Sequence, residues 1–189
     1  MSQKNRKALY AAFISILVLL SNSTFALESD RHQPLKIVAD TAVIDEQDGT
    51  AIYTGNVVLT QGTLKIIADK LNISTEEGKV AKVRAHGDPA LFSQVPEPNQ
   101  SEVIAKAKTI DYLVRTQILV LQRQASIVQA ENIFRGEEIK YEIQSQRLQA
   151  MGQTADPKPG DIKGRVEMIL PAAAEAPQNE TEQETPTNE

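Results

Sequence analysis

The chain has no cysteine and no tryptophan, and aromatic residues make up only 4% of it. Without cysteine there can be no disulfide, so an exported chain of this composition must draw its stability from packing alone. The scarcity of large rings argues against a lectin or a single-strand nucleic-acid binder, which present stacking platforms. Only two histidines are present, His32 and His86, and no carboxylates are spaced around either in a zinc-ligand pattern. Gly-x-Ser-x-Gly, a phosphate-cradling Gly-rich loop and His-Glu-x-x-His are all missing. Positive charge is in deficit, with 20 Lys and Arg against 25 Asp and Glu. The net charge of −5 does not attract nucleic acid or anionic headgroups over long range.

What is present begins with a leader. Lys4, Arg6 and Lys7 precede an apolar run from Leu9 to Leu20, and Thr24-Phe25-Ala26 offers small residues at a cleavage site. The run is shorter than the ~20 residues a membrane-spanning helix needs. No cysteine follows it, which excludes a bacterial lipid anchor. Residues 1–26 therefore read as a signal peptide cleaved after Ala26, which makes the mature chain an exported one. Its loss would take the net charge from −5 to −8, because it carries three positive residues and no acid. Residues 27–33 read as a flexible N-terminal segment. Residues 172–189 hold five Glu and no Lys, Arg or aromatic residue, the composition of a disordered acidic tail.

Between these ends one phrase is written four times. Its copies are Leu35-x-Ile37-x-Ala39-Asp40, Leu64-x-Ile66-x-Ala68-Asp69, Val103-x-Ala105-x-Ala107-Lys108 and Asn132-x-Phe134-x-Gly136-Glu137. A strand–turn–strand unit repeated in this way builds a stacked β structure. Counting from the small residue, apolar positions fall at −4, −2 and 0, then at +3 and +5. Side chains alternate faces with period two, so the switch of parity predicts one extra residue, and a bend, at the small-polar step. Four bends in register would fold two sheets over each other. Turn signals such as Asp48-Gly49, Gly55-Asn56 and Glu77-Gly78 separate the strands, and Ser93 to Glu102, with Pro96 and Pro98, reads as a long loop. Asp156-Pro157-Lys158-Pro159-Gly160 is a break before a last strand, Val166 to Leu170. No window of more than ten residues after Ala26 shows a helical stripe. Asp40, Asp69 and Glu137 recur at one position of the repeat and read as corner chemistry, hydrogen-bonding a turn backbone.

Residues 34–171 resemble the OstA-like family of periplasmic lipopolysaccharide-transport proteins of Gram-negative bacteria. The resemblance rests on Ile37-Val38-Ala39-Asp40, on the run from Tyr53-Thr54-Gly55-Asn56-Val57 through Gln61-Gly62 to Ala68-Asp69-Lys70, and on Gly87-Asp88-Pro89-Ala90-Leu91-Phe92 and Gly136-Glu137-Glu138-Ile139-Lys140-Tyr141. One departure is that Leu121-Gln122-Arg123-Gln124 stands where the second half should repeat Thr-Gly-Asn, which puts the turn geometry there in doubt. The resemblance implies an all-β fold, an open, V-shaped antiparallel jelly roll of about sixteen strands, and no enzymatic activity or cofactor. It further implies a bridge of protomers associated head to tail. LptC would meet it at the inner membrane and LptD at the outer membrane, and the acyl chains of lipid A would travel inside.

The apolar face of the repeat nominates the residues of such a groove: Leu35, Ile37, Ile44, Leu64, Ile66, Ile73, Phe92, Ile110, Tyr112, Leu119, Phe134 and Tyr141. Each also serves as an ordinary core residue in a simpler account. Exposed strand edges are expected at Leu35, Ile37 and Ala39 and at Val166, Met168 and Leu170, where strand addition joins partners. Three other readings stay open on sequence: a membrane-anchored LptC-like component that keeps residues 9–20, a structural β scaffold without lipid, and a carbohydrate-active enzyme using a carboxylate pair.

Overall fold

The computed structural model describes residues 30–153 and 164–171. The leader, the break at 156–160 and the acidic tail lie outside the described residues. Alternation with period two makes strands of nearly everything else. A 3-10 turn at Asp30–His32 precedes ten strands: β1 (Lys36–Val38), β2 (Thr41–Asp45), β3 (Thr50–Gln61), β4 (Leu64–Glu76), β5 (Lys79–Gln94), β6 (Val103–Leu113), β7 (Ile118–Gln129), β8 (Asn132–Glu142), β9 (Arg147–Met151) and β10 (Glu167–Ile169). They form one antiparallel sheet in the order β1-β3-β4-β5-β6-β7-β8-β10, with β2 also on β3 and β9 also on β8. The all-β antiparallel expectation is met. Where about sixteen strands were expected, the described residues form ten, because the six long strands run through their bends without a break.

Those bends fall where the repeat puts them. Pairing slips between Thr54 and Val57, Ile67 and Lys70, His86 and Ala90, Lys106 and Thr109, and Gln122 and Ala125. Across the slip in β4, Ile66 and Ala68 are buried on one side and Leu71 and Ile73 on the other, so parity switches while the apolar side stays inside. The row of slips divides the sheet into two limbs. The first holds 57–61, 64–68, 90–94, 103–107, 125–129 and 132–136, and the second holds their continuations beyond the slip.

The limbs fold onto each other. Phe92 of the first limb meets Tyr112 of the second with ring centroids 5.5 Å apart. Tyr141 Oη donates to Gln129 Oε1 at 3.1 Å, again from one limb to the other. The β5–β6 loop reaches the β8–β9 turn, where Gln146 Nε2 donates to Gln100 Oε1 at 3.1 Å. We call the side opposite the bends, where the last two contacts lie, the mouth.

The corner has its own chemistry. Gly55 and Asn56 leave the ladder with φ of 81° and 46°, and Asn56 Nδ2 donates to Asp40 Oδ2 at 3.0 Å. A Cβ on Gly55 would collide with the Asp40 carboxylate. At the equivalent step of β7, Arg123 and Gln124 take φ of 65° and 56° although neither is glycine. The departure from Thr-Gly-Asn therefore leaves the turn shape intact and strains it, since an L-residue in the left-handed region costs roughly 1–2 kcal/mol. Gln124→Gly should stabilise the protein by about 1 kcal/mol in urea unfolding. A neutral or destabilising result would show that the backbone there carries no strain.

Two further features were not expected. The polar stretch before β1, read as flexible, is fastened at its described end. Asp30 accepts bonds from the Thr63 backbone N and Oγ1, both at 2.7 Å, and from Gln94 Nε2 at 2.8 Å. On the outer face of the second limb, Arg84 holds Asp111 through Nε and Nη2 at 2.6 and 2.7 Å, and Lys82 Nζ adds a contact at 3.1 Å. Burial pushes the Asp111 carboxyl up, but the bonds and charges of Arg84 and Lys82 outweigh it and hold the group below its ordinary value. A carboxyl depressed in the folded state stabilises the fold above its unfolded value, and that contribution is lost as pH falls through the folded one. Asp111→Asn should therefore flatten the loss of stability below about pH 4. An unchanged acid-unfolding curve would assign the acid sensitivity elsewhere.

Candidate functional site

The inner faces of the limbs carry two apolar rows that cross the whole sheet. On the first limb, register aligns Ile37, Leu59, Ile66, Phe92, Ala105, Ile127, Phe134 and Met168. On the second it aligns Ile44, Ala51, Ile73, Val83, Tyr112, Leu119, Tyr141 and Leu148. Directly paired residues of an antiparallel sheet share a face about 5 Å apart. Each row is thus a continuous apolar track roughly 34 Å wide, taking eight strands at the usual spacing.

Burial along these tracks is uneven. Of the twelve nominated groove residues, Leu64, Ile66, Ile73, Phe92, Ile110, Tyr112, Leu119 and Tyr141 are buried in one cluster, where the limbs pack against each other. Ile37 and Phe134 are half-buried and pack against that cluster. Leu35 and Ile44 stand at the β1–β2 end, 38% and 62% exposed. The middle of the track is sealed, and its ends face solvent. Leu59, Leu71, Val83, Ile127 and Ile139 belong to the same buried face. Their alternation with polar neighbours could have nominated them too.

The nominated edges sit at opposite ends of the sheet. Leu35, Ile37 and Ala39 flank or belong to β1, the terminal strand on one side. Val166, Met168 and Leu170 flank or belong to β10, the terminal strand on the other, and are 45%, 55% and 57% exposed. Met168 pairs with Phe134 and so continues the first-limb track to its end. Both ends present apolar side chains next to a strand edge with no further strand beside it among the described residues.

Two polar cavities lie off the tracks. One, of about 280 Å³ at the corner, is lined by Asp69, His86, Gly87, Asp88, Lys108 and Arg123. Lys108 Nζ approaches Asp88 Oδ1 at 3.5 Å, and Arg123 Nη2 donates to Thr109 Oγ1. Burial lowers the His86 imidazole, and the charges of Arg84 and Arg123 push it the same way. The other, of about 320 Å³ at the mouth, is lined by Asp30, Gln94, the Val95–Pro98 stretch and the turns carrying Gln117 and Ile143. Across the mouth, burial raises the Tyr141 phenol, against a smaller opposing effect of the Gln129 bond.

Comparison with known proteins gives a consistent result. Residues 36–147 match the family described as LptA/(LptD N-terminal domain) LPS transport protein. The chain is 34% identical over 151 residues to the lipopolysaccharide export system protein LptH of Pseudomonas aeruginosa, covering 79% of this chain and 86% of that one. It is 35% identical over 143 residues to the lipopolysaccharide export system protein LptA of Haemophilus influenzae, covering 74% and 83%. LptA of Escherichia coli is 32% identical over 148 residues, covering 77% and 80%. The crystal structure of P. aeruginosa LptH, described as the LptA-homologous periplasmic component of the lipopolysaccharide transport device, superposes with a TM-score of 0.68 at 33% identity. That match covers 77% of this chain and all of the other.

Proposed function

Because this chain belongs to the LptA/LptD N-terminal domain family of lipopolysaccharide-transport proteins, we propose that it binds lipopolysaccharide in the periplasm and forms one unit of a bridge between the inner and outer membranes. The observation that carries this reading is the pair of apolar tracks, sealed in the middle and open at both ends. Lipid A acyl chains would enter between the limbs, which must part to admit them. The exposed Leu35 and Ile44 at one end, and Met168 and Leu170 at the other, would extend the track into the next protomer. In this reading residues 34–171 are the working domain. Counting each of the six bent strands as two takes the ten strands to the sixteen shorter strands of a jelly roll.

The energetics favour an open track. Burying acyl carbons stabilises by about 0.8 kcal/mol per CH₂, so one twelve-carbon chain fully enclosed would hold by roughly 10 kcal/mol. Release on that scale is very slow. Partial burial along a track that continues into a neighbour lets a chain move on without ever being fully freed. No side chain needs to recognise the lipid individually. The unlike ends suit head-to-tail self-association, and the same strand edges would accept LptC on one side and LptD on the other.

The test is photo-crosslinking in cells that make lipopolysaccharide. A probe at Ile44, on the open inner face, should crosslink to lipopolysaccharide, and one at Gln149, on the outer face of β9, should not. Equal labelling at both positions, or none at Ile44, would leave the fold without its proposed cargo.

A further inference from the structure

The outer faces of the two limbs differ in a way the groove does not require. On the first limb, register places Val38, Val58, Ile67 and Leu91 side by side in one outer row. In the neighbouring row it places Ile104, Val128, Ile133 and Ile169 side by side across the other four strands. Leu91 pairs with Lys106, two residues from Ile104 on the same face, so the two sets join into one oblique apolar band from sheet edge to sheet edge. None of the eight is buried, and Val38, Ile67 and Ile169 are 54%, 36% and 41% exposed. The rest of these two rows is polar, and its charge is one-sided. Lys36 and Lys65 flank one half of the band, and Lys106 and Arg135 flank the other, against the single acid Glu167, which pairs with Arg135 at 2.6 Å. The second limb's outer face also exposes Val43 and Ile52, but it mixes five basic residues, Lys70, Lys82, Arg84, Lys140 and Arg147, with four acids, Asp45, Asp111, Glu138 and Glu142. A chain of net charge −5 has thus collected a basic, apolar surface on one face. Asp69 and Asp88 line the corner cavity and Glu131 stands in the β7–β8 turn, off these two rows.

We propose that the outer face of the first limb docks flat on an anionic lipid bilayer. An apolar stripe with Lys and Arg on both sides is the surface that rests in a bilayer interface. The apolar side chains reach the acyl boundary, while the long basic ones extend to the headgroups. A bilayer satisfies both halves of the pattern at once. A second copy of the same face does not, because its lysines would meet like charge. The acidic C-terminal residues 172–189 complement the charge but contain no apolar side chain larger than Ala and Pro to cover the stripe. The inference does not depend on the reading of the groove.

The experiment is cosedimentation of the purified protein with vesicles free of lipopolysaccharide. One set contains equal parts phosphatidylglycerol and phosphatidylcholine, and the other phosphatidylcholine alone. The protein should sediment with the anionic vesicles, lose that partition as salt is raised, and ignore the neutral ones. Lys65→Glu with Lys106→Glu should cut partitioning about tenfold or more. Ile67→Ser with Ile104→Ser should weaken it at unchanged net charge. Lys70→Glu with Lys140→Glu, on the second limb, should leave it as it was. Absence of binding to anionic vesicles, or equal loss from both lysine pairs, overturns the proposal. So does a fall in native mass on Lys65→Glu with Lys106→Glu without vesicle binding, which would give the face to a second copy or an acidic protein. Crosslinking from Ile44 is read separately, so failure of this test leaves the transport reading where it stands.

Discussion

Phe92→Ala should lower the free energy of unfolding by about 3–5 kcal/mol. The ring is completely buried. Its strand neighbours are Ile66 and Ala105, and its partner across the fold is Tyr112. Three things are lost together: the transfer of a large apolar group from water, the tilted contact between two rings, worth about 0.5–1.5 kcal/mol, and the packing of every atom that faced it. The space cannot collapse easily, because β5 is held by ladders to β4 and β6 on either side. Ile44→Ala removes an aliphatic side chain from the same inner surface but at its open end, where the residue is 62% exposed, and should cost less than about 0.5 kcal/mol. Urea unfolding followed by far-ultraviolet circular dichroism measures both. Similar losses at the two sites would mean that the limbs do not pack in the middle.

The second large effect concerns association. Ile37→Asp places a carboxylate on the inner track at the β1 edge, and Met168→Asp does the same at the β10 edge. If unlike ends meet, each change puts a charge into an apolar contact and should weaken end-to-end association at least about tenfold. Gln149→Asp, on the outer face, should not. The decisive arm is the mixture. A chain altered at Ile37 keeps a sound β10 end, and one altered at Met168 keeps a sound β1 end, so together they form one good contact and stop at dimers. Light scattering across a concentration series reads this directly. Longer species in the mixture, or none at all, would exclude a head-to-tail arrangement of these two edges.

The sequence displays some of this molecule plainly and hides the rest. The bends were readable because a parity switch is a local property: Ala68 and Asp69 announce it whatever lies beside them. The inner rows were readable for the same reason, since alternation places Ile66 and Ile73 on the apolar side without knowledge of their neighbours. What depends on pairing was not visible. The outer band joins Leu91 to residues on β6, β7 and β8 only through the register, and along each strand its members look like ordinary alternation partners. The contacts of Gln100 with Gln146 and of Gln129 with Tyr141 span 46 and 12 residues and exist because the sheet folds over. Asp30 sits in a segment whose composition suggests looseness, and its bonds to Thr63 and Gln94 follow from the β3–β4 turn and the end of β5 arriving together. Arg123 and Gln124 show the reverse case: their identities argue against a left-handed pair, and the surrounding ladders impose it.

Two contacts across the mouth, Tyr141 with Gln129 and Gln146 with Gln100, are made by side chains without charge. Carboxamides do not titrate, and a phenol raised above its ordinary value stays protonated across the range in which carboxylates and imidazoles change state. Neutral hydrogen bonds are also largely indifferent to the ionic screening that loosens surface ion pairs. These two bonds therefore carry no charge of their own, whereas the Asp111 cluster on the outside does. A change in acidity or salt around the protein would therefore act on the outer ion cluster before it acts on the neutral bonds that join the limbs.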